Sequence, residues 1–73
     1  MKESNEMMAY MVKNLSMLLM EHYTDLSMEQ ALNIVFNSDT YQKVLNEKTH
    51  LYYQSPRYVY SFLEEETKTG KPR

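Results

Sequence analysis

The first third of the chain has apolar residues at the spacing of a helix. When residues are placed about 100° apart, they form one broad apolar stripe. The stripe comprises Met7, Met8, Met11, Val12, Leu15, Leu18, Leu19, His22 and Tyr23. This pattern predicts a first helix over 3–23. Tyr10, Met17 and Met20 lie outside the stripe, among polar residues. We therefore expect either a central helix covered on two sides or a helix whose second side contacts another chain.

Local start signals predict three further helices. Ser27 is a good N-cap, and Gln30 follows it at the capping-box position. Ser38 is a second N-cap, and Ser55 precedes a proline that suits the first position of a helix. These signals predict helices over 28–37, 39–46 and 56–67. Their inward-facing residues are predicted to be Met28, Ala31, Leu32, Val35, Phe36, Tyr41, Val44, Leu45, Val59, Phe62 and Leu63.

These elements predict an all-α fold, a small bundle of three to four helices. We expect a single helical domain over 1–67 and a flexible C-terminal tail over 68–73. The connection over 46–54 is predicted to be a loop, anchored by Leu51 and one of the two tyrosines that follow it. A chain of 73 residues without Cys has neither a disulfide nor a thiolate-bound metal to compensate for a thin core. Its stability must come from packing within the chain or between chains.

The sequence also indicates where the protein acts. Its first apolar run, over 7–12, is far shorter than the roughly 20 residues of a membrane-spanning helix. The absence of Cys fits a reducing compartment. We therefore expect a cytoplasmic protein that has no membrane partner.

Charge bears on whether nucleic acid is a partner. Eight basic and ten acidic residues give a net charge of −2, which disfavours non-specific binding to phosphates. A helix-turn-helix arrangement over 27–46 nevertheless leaves a small nucleic-acid-binding regulator as the alternative function. Its reading residues would be Gln42, Lys43 and Asn46. Because Asp39 and Glu47 flank these residues and no Arg lies near them, we do not expect nucleic acid as the partner.

Residues for catalysis are scarce. The chain has two histidines, His22 and His50, and they are not at the i, i+4 spacing of a helical zinc site. Its one glycine, Gly70, cannot form a phosphate-binding loop. We expect no enzymatic activity, no metal and no cofactor.

Tyrosines and one arginine are concentrated over 51–62, with the sequence LYYQSPRYVYSF. Tyr and Arg are the residues that most often anchor protein interfaces. One interpretation makes Tyr52, Tyr53, Arg57 and Tyr60 a partner-binding face. In the other interpretation, the tyrosine rings only cover the core, which is too small for the helices around it. A second candidate interface is formed by Tyr10, Met17 and Met20, which predict a homo-oligomer, most simply a two-fold dimer.

Four segments carry a resemblance to a protein family. They are 26–32 (LSMEQAL), 38–41 (SDTY), 51–56 (LYYQSP) and 58–60 (YVY). The chain resembles short, uncharacterised, all-helical bacterial proteins that are encoded beside proteins similar to ADP-ribosyltransferase toxins. The resemblance covers most of 26–70. It implies a small cytoplasmic interaction module, antitoxin-like or accessory to a larger cognate protein, and it brings no catalytic residues.

Overall fold

The computed structural model describes residues 3–69, which form four α-helices and no strand. The helices are α1 (Glu3–His22), α2 (Met28–Phe36), α3 (Asp39–Leu45) and α4 (Pro56–Thr69). Two short 3₁₀ turns, Glu47–Thr49 and Leu51–Tyr53, connect α3 to α4. The predicted all-α fold is confirmed, and every helix end lies within two residues of its predicted position.

The predicted helix starts are made by serine side chains. At α2, the Gln30 N–H donates to the Ser27 hydroxyl oxygen over 3.2 Å, and the Ser27 N–H donates to the Gln30 side-chain oxygen over 3.0 Å. At α3, the Ser38 hydroxyl accepts from the Tyr41 N–H. At α4, the Ser55 hydroxyl accepts from the backbone N–H two residues after Pro56. Each bond satisfies an amide that the helix itself leaves unpaired, so the start is specified locally.

The core is one cluster of buried side chains. It comprises Met11, Val12, Leu15, Leu18, Leu19, Ala31, Val35, Val44, Tyr52, Val59, Tyr60 and Leu63. α1 is the central helix, because it packs against α2, α3, α4 and the second 3₁₀ turn. α1 therefore has elements on two sides, as the first alternative for this helix expects, and the second alternative, contact with another chain, stays a prediction. Tyr10 and Met17 nevertheless remain exposed.

A carboxylate from α4 holds the start of α3. One oxygen of Glu66 accepts from the Asp39 N–H over 2.7 Å. The other accepts from the Thr40 N–H over 3.1 Å and from the Thr40 hydroxyl over 2.9 Å. α4 continues to Thr69, two residues beyond its predicted end, so Lys68 of the predicted tail is helical. The rest of the predicted tail, 70–73, lies outside the described residues.

Several predicted orientations are wrong at the edges of the apolar stripes. Tyr23, Met28, Phe36, Leu45 and Phe62 were expected inside, and all five are exposed. A domain this small cannot cover the whole apolar stripe of every outer helix, so residues at the stripe edges remain in contact with water. Ser16 shows the opposite error, because it is fully buried in α1. Its hydroxyl donates to the Val12 carbonyl over 3.0 Å, which satisfies the buried polar group.

Candidate functional site

The connection between α3 and α4 is held by local hydrogen bonds. The Thr49 hydroxyl lies 2.6 Å from the carbonyl oxygen of Lys43 and 2.9 Å from that of Asn46. His50 follows with a left-handed backbone, at φ 55° and ψ 25°. This conformation costs a residue with a side chain about 1–2 kcal/mol. It turns the chain between the two 3₁₀ turns and sets the direction of the tyrosines that follow.

The two adjacent tyrosines have opposite environments. Tyr52 is 8% exposed and belongs to the core, whereas Tyr53 is 57% exposed. Their ring centroids lie 4.8 Å apart, and the His50 ring stacks on Tyr53 with centroids 6.0 Å apart. Tyr52 is therefore the predicted tyrosine anchor of the connection, and Leu51 beside it packs against the core as expected. The exposed Tyr53 ring therefore contacts two neighbouring rings, whose centroids lie 6.5 Å from each other.

A pocket of about 400 Å³ lies between α1 and this connection. It is lined by Glu6, Met7, Tyr10 and Met11 from α1, and by Tyr52, Tyr53, Gln54 and Pro56 from the other side. Tyr10 is 62% exposed. The structure thus brings together residues of the two candidate interfaces that the sequence had suggested separately.

Met17 extends this surface along α1. It follows Tyr10 by seven residues, which is about 10 Å along a helix and close to two full turns. Tyr10 and Met17 therefore lie on the same face of α1, and both are exposed. We call Tyr10, Met17 and Tyr53 the Tyr10–Tyr53 surface.

Four of the predicted partner-binding residues are not part of the Tyr10–Tyr53 surface. The expected exposure of Tyr52 and Tyr60 is wrong, because both belong to the core. Met20 is half-buried and packs against the same core, since it lies closer to the buried side of α1 than Tyr10 does. Arg57 is exposed on α4 but does not line the pocket.

Tyr60 is buried by the end of α1. Its ring centroid lies 5.1 Å from that of His22. Within the described chain its hydroxyl has no hydrogen-bond partner. Burial raises the pKa of this hydroxyl above the ordinary value of 10.0, and the charges of Glu64 and Tyr23 raise it further. Tyr60 is thus a structural residue and offers a partner no surface.

The geometry of α3 is unfavourable for binding phosphates. The Lys43 ammonium lies 5.8 Å from the centre of the Phe62 ring on α4. No Lys or Arg lines the Tyr10–Tyr53 pocket in the described part of the chain. The Glu66 carboxylate places a negative charge at the start of α3, where a helix would otherwise attract a phosphate. Tyr10 and Tyr53 therefore share their pocket with no lysine or arginine of the described residues.

A second concave surface lies between α1, α2 and α3. This groove has a volume of about 490 Å³. Its apolar lining includes Met8, Val12, Leu32, Phe36, Tyr41 and Leu45. The sequence analysis missed it, because Phe36 and Leu45 have the spacing of core residues. Spacing alone cannot distinguish a residue packed in the core from one at the rim of a groove.

Over residues 3–69 no three His, Cys, Asp or Glu side chains are grouped to hold a metal ion. No described helix is both long enough and apolar enough to span a membrane.

Comparison with known proteins found no matching family model, no matching curated protein and no matching solved structure.

Proposed function

We propose that this chain is a cytoplasmic protein–protein interaction module that binds a larger cognate protein through the Tyr10–Tyr53 surface. The observation that carries the proposal is the convergence of Tyr10 and Tyr53 on one pocket. Each ring is more than half exposed, and each comes from a different element. Exposed aromatic rings around a concavity are typical of the anchor sites of protein interfaces.

The support behind these rings suits them for recognition. Tyr10 projects from the central helix, and Tyr53 contacts the rings of His50 and of the buried Tyr52. A ring that is already held in place loses little conformational entropy when a partner covers it. Its apolar face and polar hydroxyl can contact apolar and polar groups of the same partner. The surface is therefore suited to a specific contact.

Self-association uses the same residues in this proposal. Tyr10 and Met17 lie on one exposed face of α1, so two copies can pack across a two-fold axis along this face. The resemblance to proteins encoded beside toxin-like enzymes supports an antitoxin-like or accessory role for the module. A dimer face that is also the partner face would make self-association and partner binding compete.

The test compares three tagged forms of the chain in the cell that encodes it. The double variant Tyr10→Ala/Tyr53→Ala removes both exposed rings. The matched control is Tyr58→Ala, which removes a tyrosine of similar exposure on the far edge of α4. We expect all three to keep the helical circular dichroism of the wild type. The double variant should bind the co-purified protein at least about 30-fold more weakly, the effect of losing about 2 kcal/mol.

Two outcomes would contradict the proposal. A double variant that stays folded and binds as well as wild type would show that the surface is not the binding site. Equal losses in the double variant and in Tyr58→Ala would show that the contact is non-specific. Sedimentation of the purified wild type at tens of micromolar tests the dimer separately, because a species of 8.8 kDa alone excludes self-association.

A further inference from the structure

The groove between α1, α2 and α3 is an apolar surface with unusually exposed walls. Phe36 is 46% exposed at the end of α2, and Leu45 is 41% exposed at the end of α3. Met8 and Val12 form the α1 wall, and Leu32 and Tyr41 complete the lining. Exposed apolar surface that is bounded by polar residues can mark a site of protein interaction.

The shape of the groove favours a helix over a small apolar ligand. Small-molecule sites enclose most of their ligand and place several polar groups around it. This groove is bounded by three helices but open to solvent, and its large residues stand at its rim. An amphipathic helix can bury its apolar face there and turn its polar face to water. A bare hydrocarbon ligand would remain largely hydrated.

The charge at the groove indicates the chemistry of that helix. Lys13 is the one charged side chain among the described residues that line the groove, and it is exposed. No described Asp or Glu lines it. A helix that carries an acidic side chain at its edge would therefore complement Lys13, whereas a basic helix would be repelled.

The groove is separate from the Tyr10–Tyr53 surface. On α1, Met8 and Val12 line the groove, whereas Met7 and Tyr10 line the other pocket. At about 100° per residue, Met8 and Val12 project from the side of the helix roughly opposite Met7 and Tyr10, and Lys13 lies between the two sides, three residues after Tyr10. The two pockets share no lining residue. A helix seated on Met8 and Val12 would leave Tyr53 accessible.

We propose that the groove binds an amphipathic helix of a protein partner, with an acidic side chain of that helix opposite Lys13. The apolar residues of the partner, three or four positions apart, pack on Met8, Leu32 and Phe36. The chain then has two independent contact surfaces and can connect two proteins. This inference does not depend on the function proposed for the Tyr10–Tyr53 surface.

The experiment selects peptides on the full-length chain. A phage library of random peptides about 18 residues long, enough for about five helical turns, is selected against the immobilised wild type. The enriched peptides should have apolar residues at i, i+3 or i+4, and i+7, together with Asp or Glu. Synthetic versions should bind Phe36→Ala/Leu45→Ala at least about tenfold more weakly and Tyr58→Ala as well as wild type.

A second experiment reverses the charge at the groove, so that the proposal can be tested even if Phe36→Ala/Leu45→Ala folds poorly. Lys13→Glu changes one exposed side chain, and Lys48→Glu is its control outside the groove. Selection on Lys13→Glu should enrich Lys or Arg where wild type enriches Asp or Glu, and Lys48→Glu should behave like wild type. The proposal is overturned if no helical pattern is enriched, if the charge preference does not reverse, or if peptides require Tyr10 and Tyr53 instead.

Discussion

The carboxylate of Glu66 on α4 forms the hydrogen bonds that hold the start of α3. Glu66→Ala would remove the acceptor of three hydrogen bonds, from the Asp39 N–H, the Thr40 N–H and the Thr40 hydroxyl. Glu66→Gln keeps one acceptor oxygen but removes the charge. Glu65→Ala is the control, because that neighbour is exposed on the same helix.

The cost of Glu66→Ala follows from the environment of these donors. Thr40 is 2% exposed, so its amide would be left without an acceptor, at about 1–3 kcal/mol. Asp39 is exposed, and water can replace the carboxylate at its amide. The charge at the start of α3 contributes about 0.3–1 kcal/mol, reduced by solvent because Glu66 is only partly buried. We expect a loss of about 2–3 kcal/mol for Ala and about half of that for Gln.

Thermal unfolding followed by circular dichroism measures this effect. For a domain of this size, 1 kcal/mol corresponds to about 4–8 °C in Tm. Glu66→Ala should therefore lower Tm by about 10–20 °C, whereas Glu65→Ala should change the free energy of unfolding by less than about 0.5 kcal/mol. If Glu66→Ala melts together with Glu65→Ala, α3 is held by its own N-cap and by apolar packing, and the reasoning is refuted.

Three further predictions concern stability. Ser55→Ala should lower the free energy of unfolding by about 0.5–2 kcal/mol, because the Ser55 hydroxyl caps α4 by accepting from the Tyr58 N–H; an unchanged denaturation midpoint would contradict this. Tyr52→Ala should lower the free energy of unfolding by about 3–5 kcal/mol, because it truncates a core residue, whereas Tyr53→Ala should lower it by less than about 1 kcal/mol, because Tyr53 is exposed. Equal losses of stability in urea unfolding would contradict the burial of Tyr52 and the exposure of Tyr53. Burial raises the pKa of Tyr60, so the folded chain holds this proton more tightly than the unfolded chain. The resulting stability is complete below about pH 10 and is lost as pH rises through the folded pKa. The variant Tyr60→Phe should therefore lose less stability than wild type as the pH rises above about 10. At pH 7 it should be at least as stable as wild type, because it lacks an unpaired buried hydroxyl. If the stability of both proteins falls in parallel at alkaline pH, this prediction is wrong.

The positions of the helices could be predicted because their signals are local. Ser27, Ser38 and Ser55 each accept a hydrogen bond from an amide three residues later, so each start requires only a few neighbouring residues. The stripe of α1 likewise identified its buried centre, including Leu15 and Leu19. These interactions form within one or two helical turns, and no distant part of the chain is needed to specify them.

The sites depended on contacts between distant residues. Periodicity placed Phe36 and Leu45 in the core, but the packing of three helices left them at the rim of a groove. The acidic run near the end of the chain showed no special role until folding brought Glu66 to amides 26 and 27 residues earlier.

The tyrosine cluster shows most clearly the difference between what a local sequence pattern predicts and what contacts between distant residues decide. Composition alone indicated that 51–62 is rich in interface residues, but it could not separate Tyr52 from Tyr53. The left-handed backbone at His50 and the position of α1 made one ring part of the core and exposed the other beside Tyr10. The sequence by itself determined where the helices begin and which faces are apolar, because those signals act over a few residues. Only the tertiary structure decided which apolar residues are covered, because coverage depends on which helices pack against one another.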